Sequence, residues 1–89
     1  GARNISAENF AERMRDLENV ATSFEGIDKA YAISAGREIR VIVKPQTVDD
    51  LSAIKLARDI ATKIESTMQY PGTIKVNVIR ETRAIEFAK

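Results

Sequence analysis

The residues of this chain that could perform chemistry are few. Its 89 residues contain no histidine and no cysteine, which leaves carboxylates, lysines, tyrosines and hydroxyls. Histidine is the commonest metal ligand and the usual general base near neutral pH, while disulfides and zinc ribbons need cysteine. The sequence therefore predicts no catalytic residues, no cofactor and no metal site in this chain.

The adjacent carboxylates Asp49 and Asp50 come nearest to a metal-binding pair. They stand at the start of an amphipathic segment, where carboxylates cap a helix and offset its dipole. No histidine or third carboxylate pairs with them, so we interpret them as cap residues. Gly36-Arg37-Glu38 has a single glycine and no following helix, which excludes a phosphate-binding loop.

The balance of charge argues against a dedicated nucleic-acid domain. Fourteen Lys and Arg against thirteen Asp and Glu give a formal net charge of +1, whereas such domains usually carry a basic excess. A local basic strip remains as an alternative, formed by Arg37, Arg40, Lys44 and Lys75. No apolar run approaches the ~20 residues that cross a bilayer, so we expect no membrane contact by this chain.

The first half of the chain predicts a helix followed by a β-hairpin. Ser6 suits a helix N-cap, and Gly26 ends an apolar stripe with helical spacing, made of Phe10, Met14, Leu17, Ala21 and Phe24. Residues 27–35 alternate with period two, Ala35-Gly36 is a turn signal, and residues 37–44 form the return strand. Residues 1–5 lack periodicity and are interpreted as a linker.

The second half predicts a helix and two more strands. Thr47 and Asp50 have the spacing of a capping box. The apolar stripe that follows consists of Leu51, Ile54, Ala57, Ala61, Ile64 and Met68, widened by Leu56 and Ile60. Tyr70-Pro71-Gly72 breaks the helix. Residues 73–80 then alternate as a strand, and residues 84–87 predict a short last strand.

The predicted order is therefore α-β-β-α-β-β, in a single domain of residues 1–89. Because each helix has one apolar stripe, we expect both on the same face of one four-stranded, mainly antiparallel sheet. The predicted fold class is α+β, a two-layer sandwich that is ferredoxin-like or a circular permutation of that fold.

The sheet face without helices is the candidate interaction surface. If Ile39, Val41 and Val43 point at the helices, the opposite face carries Ala30, Ala32, Ser34, Arg40, Ile42, Lys44, Lys75, Asn77 and Ile79. Three interpretations stay open: a partly apolar surface that packs on a second copy or a neighbouring domain, an ordinary solvated face, or an RNA platform. The packing surface would use Ala30, Ala32, Ile42 and Ile79. An RNA platform needs exposed aromatics, whereas Tyr31 and Phe87 are expected in the core.

Longer stretches of the sequence resemble the C-terminal domain of bacterial ribonuclease Y. The similar segments are Ser23-Phe24-Glu25-Gly26-Ile27, the stretch from Tyr31 to Val41, Val43-Lys44-Pro45, Ala57-Arg58-Asp59-Ile60-Ala61, Tyr70-Pro71-Gly72, Ile74-Lys75-Val76 and the stretch from Val78 to Ala84. Gly1-Ala2-Arg3 also resembles the exit from that family's preceding catalytic domain. A weaker likeness, in element order alone, is to the cytoplasmic domains of cation-efflux transporters.

The resemblance implies a non-catalytic domain of an endoribonuclease that initiates mRNA decay. The parent protein would have an N-terminal membrane helix, a coiled coil, an RNA-binding KH domain and an HD domain that holds divalent metal and cleaves RNA. This chain would follow the HD domain on the cytoplasmic side, with residues 1–5 as the linker and Lys89 as the natural end. The implied partners are a second copy or a higher oligomer, RNA through the parent, and other RNA-decay proteins.

Overall fold

The computed structural model describes the backbone of residues 2–68 and 72–89, and the side chains from residue 10 onward within those ranges. The regular elements are α1 (Ala2–Thr22), β1 (Ile27–Ile33), β2 (Glu38–Val43), α2 (Asp50–Thr67) and β3 (Lys75–Arg80). A single 3-10 turn, Ser34–Gly36, joins β1 to β2. The α+β class and the β-hairpin are confirmed.

The sheet has three strands in the described part of the chain, in the order β1-β2-β3. β1 pairs with β2 in antiparallel orientation, whereas β2 pairs with β3 in parallel orientation. The predicted four-stranded, mainly antiparallel sheet is therefore not confirmed, since the described sheet is three-stranded and mixed. Residues 84–87 form no strand, and Ile85 and Phe87 are 66% and 81% exposed. The parallel pair follows from α2, because a helical crossover returns the chain in the same direction.

Both helices cover the same face of the sheet, as the two apolar stripes predict. The core contains eight buried side chains from α1, β2, α2 and the loop before α2: Leu17, Ala21, Ile39, Val41, Val43, Val48, Ile60 and Ile64. The central strand β2 contributes three of them at alternate positions, while Arg40 between them is exposed. Alternate burial on one strand means that only one sheet face is covered.

The β1 side chains that face the helices are the ones predicted to face away from them. Its register with β2 shifts between Ile27 and Lys29, which is a β-bulge. Beyond the bulge, Ala30 lies opposite Val41 and Ala32 opposite Ile39, so both alanines point at the helices and pack against the core. Their predicted place on the uncovered face is wrong, because an extra residue reverses the alternation of everything after it.

Tyr31 is the other residue that the bulge relocates. It lies opposite Arg40 and is 46% exposed on the uncovered face. The prediction that Tyr31 points into the core is therefore wrong. Phe87, which was also expected in the core, is exposed because its strand does not form.

The two helices begin at residues other than the predicted caps. α1 begins at Ala2, so Ser6 lies inside the helix rather than at its N-cap. The N-cap of α2 is Asp49, whose carboxylate accepts a hydrogen bond of 2.7 Å from the Ser52 N–H, so the capping box of Thr47 and Asp50 is wrong. The interpretation of Asp49 as a cap residue is confirmed. Hydrogen bonding from the Ser52 side chain, together with that from its N–H, lowers the pKa of the Asp49 carboxyl.

The apolar stripe of α2 is narrower than predicted. Ile60 and Ile64 are buried and Leu56 packs against the core, but Leu51 and Ile54 are 78% and 61% exposed. The helix ends at Thr67, and the predicted break at Tyr70 and Pro71 lies outside the described residues.

Arg80 connects the end of β3 to the loop that leads into α2. Its Nε donates to the Val48 carbonyl at 2.6 Å and its Nη2 to the Pro45 carbonyl at 3.0 Å. Its Nη1 lies 3.5 Å from the Asp50 carboxylate. The side chain therefore mainly satisfies two loop carbonyls.

Gly26 is a position where backbone geometry restricts the sequence. Its φ is +86°, and a Cβ added there would lie 2.5 Å from Cγ2 of the buried Val48. Gly26→Ala therefore combines left-handed strain with a clash. We expect a loss of about 1–3 kcal/mol in the free energy of unfolding, measured by urea denaturation.

Gly72→Ala is the matched control for this substitution. Among the described residues, nothing lies within 4 Å of a Cβ at Gly72. We expect its free energy of unfolding to stay within about 0.5 kcal/mol of the wild type. Equal losses for the two variants would contradict the proposed role of Gly26.

Candidate interaction surface

The uncovered face of the sheet is a grid of three rows, each with one residue from β1, β2 and β3 in that order. The rows are Ile33-Glu38-Lys75, Tyr31-Arg40-Asn77 and Lys29-Ile42-Ile79. Side chains directly opposite each other on paired strands share a face and contact one another. We call these nine residues the open face, and it is the candidate interaction surface of the described chain.

Glu38 is the electrostatic centre of the open face. Its Oε2 accepts hydrogen bonds of 3.3 Å from Nδ2 of Asn77 and from Nη2 of Arg40. The hydrogen bond from Asn77 is the main cause that lowers the pKa of the Glu38 carboxyl, and the positive charges of Lys75 and Arg40 add to it. Arg40 and Lys75, two of the four basic residues predicted to contact RNA, therefore lie beside a carboxylate.

The apolar part of the open face lies at the opposite end of the grid. Ile42 and Ile79 are side by side on β2 and β3, and both are half-buried. Tyr31 lies in the neighbouring row on β1. A concave region of about 550 Å³ begins here and is lined by Tyr31, Ile42 and the loop after β2, together with Glu81 and Arg83.

The structure separates the predicted site residues into two groups. Ile42, Ile79, Arg40 and Lys75 share the open face, as predicted from their alternation. Arg37 precedes β2 and Lys44 follows it, so these two bases lie at opposite ends of a strand of six residues, which is about 20 Å long. One short RNA segment cannot contact all four bases as a compact patch.

Four open-face residues were missed in the sequence. Glu38 is one, although it alternates with Arg40 and Ile42 on β2, and the other three are Lys29, Tyr31 and Ile33 on β1. The signal that could have found the β1 residues is the pair of adjacent charged residues Asp28 and Lys29, which are both exposed. Two successive polar residues cannot both face away from a core in a regular strand, so they indicate a bulge. With the bulge at that point, Lys29 and Tyr31 share the face of Arg40 and Ile42.

Within residues 2–68 and 72–89, no group of three or more histidine, cysteine, aspartate or glutamate residues could hold a metal ion. Neither described helix is long and apolar enough to cross a membrane.

The lowered pKa of Glu38 predicts a pH dependence of stability. The unfolded chain has the ordinary value near 4.5, so above that pH the carboxylate is ionised in both states and its stabilisation is complete. As the pH falls below that value, the unfolded state binds a proton first, and the stabilisation is lost as the pH passes the lowered folded value. Glu38→Gln should therefore lose less stability than the wild type between neutral pH and about pH 3.

The measurement is the free energy of unfolding in urea across this pH range. Glu86→Gln controls for the change in net charge, since Glu86 is exposed outside the sheet. If Glu38→Gln and the wild type lost stability in parallel, the hydrogen bonds to Glu38 would not stabilise the fold.

Comparison with known proteins identifies the relatives of the chain. It is 61% identical to ribonuclease Y of Syntrophomonas wolfei, 57% identical to that of Clostridium perfringens and 55% identical to that of Enterococcus faecalis. In each case the match covers all 89 residues of this chain and 17% of the relative. No family model matches the chain, and no solved structure matches it. The whole chain is thus homologous to a C-terminal segment of ribonuclease Y, and the resemblance noted in its sequence is confirmed.

Proposed function

We propose that this chain is a non-catalytic domain of an mRNA-decay endoribonuclease, in which it mediates self-association or positions the catalytic HD domain. The homology to ribonuclease Y supports the nuclease context. As part of the same proposal, cleavage, divalent-metal binding and membrane anchoring belong to other segments of a longer protein on the cytoplasmic side. RNA and other RNA-decay proteins would be partners of that longer protein.

The single observation that carries the packing role is the adjacent pair Ile42 and Ile79. These two isoleucines lie side by side in the last row of the open face, next to Lys29, and Tyr31 adds an aromatic ring in the next row. Interface cores are depleted of charge and enriched in aromatic residues, with a polar rim. The open face places charged side chains around this apolar group, since Lys29 lies opposite Ile42 and Arg40 lies opposite Tyr31. Glu38 and Lys75 form the row beyond them.

A second copy of the chain is the partner that this surface fits most simply. The net charge of +1 causes little repulsion between two copies. A two-fold axis near Ile42 would bring the same isoleucine pair of each copy together, which is how a symmetric dimer uses one patch twice. The basic and acidic residues of the rim would then face their counterparts across the axis.

Ile42→Glu tests self-association of the 89-residue chain. A glutamate at the centre of the contact must be desolvated, so we expect dimer affinity to fall by a factor of about ten or more, measured by sedimentation equilibrium. Ile54→Glu is the matched control, because Ile54 is 61% exposed on α2, in the layer on the other side of the sheet.

The two variants separate a specific contact from a general effect of charge. Ile54→Glu should leave the dimer affinity unchanged. A wild-type chain that stays monomeric at high concentration would contradict the self-association role. A dimer that Ile42→Glu does not weaken would contradict the use of the open face.

An auxiliary single-stranded RNA surface is the second candidate function, and the exposure of Tyr31 favours it. RNA-binding sheets stack nucleobases on exposed aromatic side chains that lie beside basic residues. Tyr31 lies directly opposite Arg40, with Lys29 and Lys75 at the margins of the same face. The bases that can act together are therefore Lys29, Arg40 and Lys75 rather than Arg37 and Lys44.

The RNA role predicts binding that depends on both stacking and charge. Tyr31→Ala should weaken binding of a labelled single-stranded RNA by a factor of about ten, because stacking contributes ~1–3 kcal/mol per base. Lys75→Glu should weaken it further at low salt, and the loss should shrink as salt rises. The measurement is fluorescence anisotropy, with Arg58→Glu on the exposed side of α2 as the charge-matched control.

Equal losses for Lys75→Glu and Arg58→Glu would mean that net charge, rather than the open face, determines binding. No binding by the wild type at low salt would remove this candidate function.

A further inference from the structure

An apolar groove runs between α2 and the start of β3. It has a volume of about 600 Å³, and its described lining consists of Ala61, Ile64, Glu65, Met68, Gly72, Thr73, Ile74 and Val76. No described residue of α1, β1 or β2 contributes to this lining. Since those elements lie on one side of β3, the groove opens on the other side, at the outer edge of the sheet.

The same edge of the sheet is incompletely covered. β3 is bonded to β2 alone among the described strands, so its other side is a free edge. Val76 and Val78 lie on the sheet face that the helices cover, yet they are only half-buried. Their neighbours on β2, Ile39 and Val41, are completely buried. An edge strand with unpaired backbone groups and exposed apolar side chains is a template for the addition of another strand.

The segment after β3 has the sequence of a strand without a partner. Residues 81–89 are exposed and have no regular structure. Ile85 and Phe87 are spaced by two, so in an extended strand both would point to one side. These are also among the most exposed large apolar side chains of the described chain. Next to β3, they would fill the groove under α2.

The course of the chain directs this segment away from its own groove. Glu81 and Arg83 line the concave region that they share with Asp28 and Tyr31 of β1. β1 is the edge strand on the far side of the sheet from the groove. Arg80 holds this exit in place through the carbonyls of Pro45 and Val48. Residues 84–88 are therefore presented outward, where a second molecule can accept them.

We propose that two copies of the chain exchange residues 84–88, each adding a strand to the free edge of β3 in the other copy. Ile85 and Phe87 of one copy would occupy the groove formed by Ala61, Ile64, Met68, Ile74 and Val76 of the other. The exchange rests on the proposed self-association and gives the two copies a second place of contact, at the edge of β3. It also supplies the fourth strand that the alternation of residues 84–87 predicts.

The chain has no cysteine, so single cysteines can be introduced to test the exchange. One copy carries Lys89→Cys, two residues beyond Phe87, and the other carries Ala61→Cys in the groove. The mixture is treated with a short bismaleimide, and heterodimers are measured on a denaturing gel. Because an exchanged pair has an effective concentration near millimolar, we expect a yield at least about tenfold above that of freely colliding chains.

The control for accessibility is Thr62→Cys, an exposed α2 residue adjacent to Ala61 but outside the groove lining. Its heterodimer yield with the Lys89→Cys copy should match that of freely colliding chains. Adding Ile85→Glu and Phe87→Glu to the Lys89→Cys copy should reduce the yield with Ala61→Cys to this control level. Both side chains are exposed in the single chain, so their replacement leaves the core intact.

A yield with Ala61→Cys no higher than with Thr62→Cys overturns the exchange. A chain that carries both Lys89→Cys and Ala61→Cys tests pairing within one molecule. If that chain forms only an internal cross-link, and the mixture of single variants forms no heterodimer, the segment folds back on its own edge and the exchange is wrong.

Sedimentation separates this inference from the proposal on which it rests. If the dimer persists while cross-linking stays at the control level, the self-association proposal stands and the exchange is wrong. A dimer that the Ile85→Glu and Phe87→Glu pair dissociates, but Ile42→Glu does not, supports the exchange and contradicts the open-face contact. A monomer in all samples overturns both.

Discussion

Burial of the inner face of β2 is the constraint on which the rest of this structure depends. Ile39, Val41 and Val43 lose essentially all contact with water, and a layer of helices covers this row. Both helices are used on that one side. The opposite face of the sheet is consequently left without a layer, and α2 reaches the outer edge of β3 without enclosing it. The open face and the edge groove are thus two consequences of one packing solution.

The alternation of β2 and β3 could be predicted because nothing interrupts it. Period-two patterns assign each side chain to a face, and the assignments of Ile42, Ile79, Arg40 and Lys75 were correct. β1 failed for the reason that makes strand patterns fragile, since one inserted residue near Asp28 reverses every later assignment. Ala30 and Ala32 were therefore predicted on the wrong face, and Tyr31, the aromatic residue of the open face, was predicted in the core.

Features that depend on residues far apart in the chain could not be predicted from the sequence pattern. The predicted apolar stripe of α2 is too wide, because periodicity does not show how much of a helix its neighbours cover. Leu51 belongs to the predicted stripe but is exposed. Arg80 bonds carbonyls more than 30 positions away in the chain, which local charge alternation cannot show. The last strand presents the same difficulty, since residues 84–87 have a strand pattern but a pattern does not identify the edge with which it pairs.

The charges of the open face favour a protein partner over RNA. Glu38 lies between Lys75 and Arg40 and accepts a hydrogen bond from Arg40, so a phosphate that approached either base would also meet a carboxylate. Binding would then require these internal interactions to be exchanged for new ones, which removes much of the electrostatic gain. A protein surface imposes no such exchange, because its own acidic and basic groups can continue the network around Glu38. The isoleucine pair can meanwhile be buried while Lys29, the one charged residue of its row, keeps its ammonium group in water at the margin.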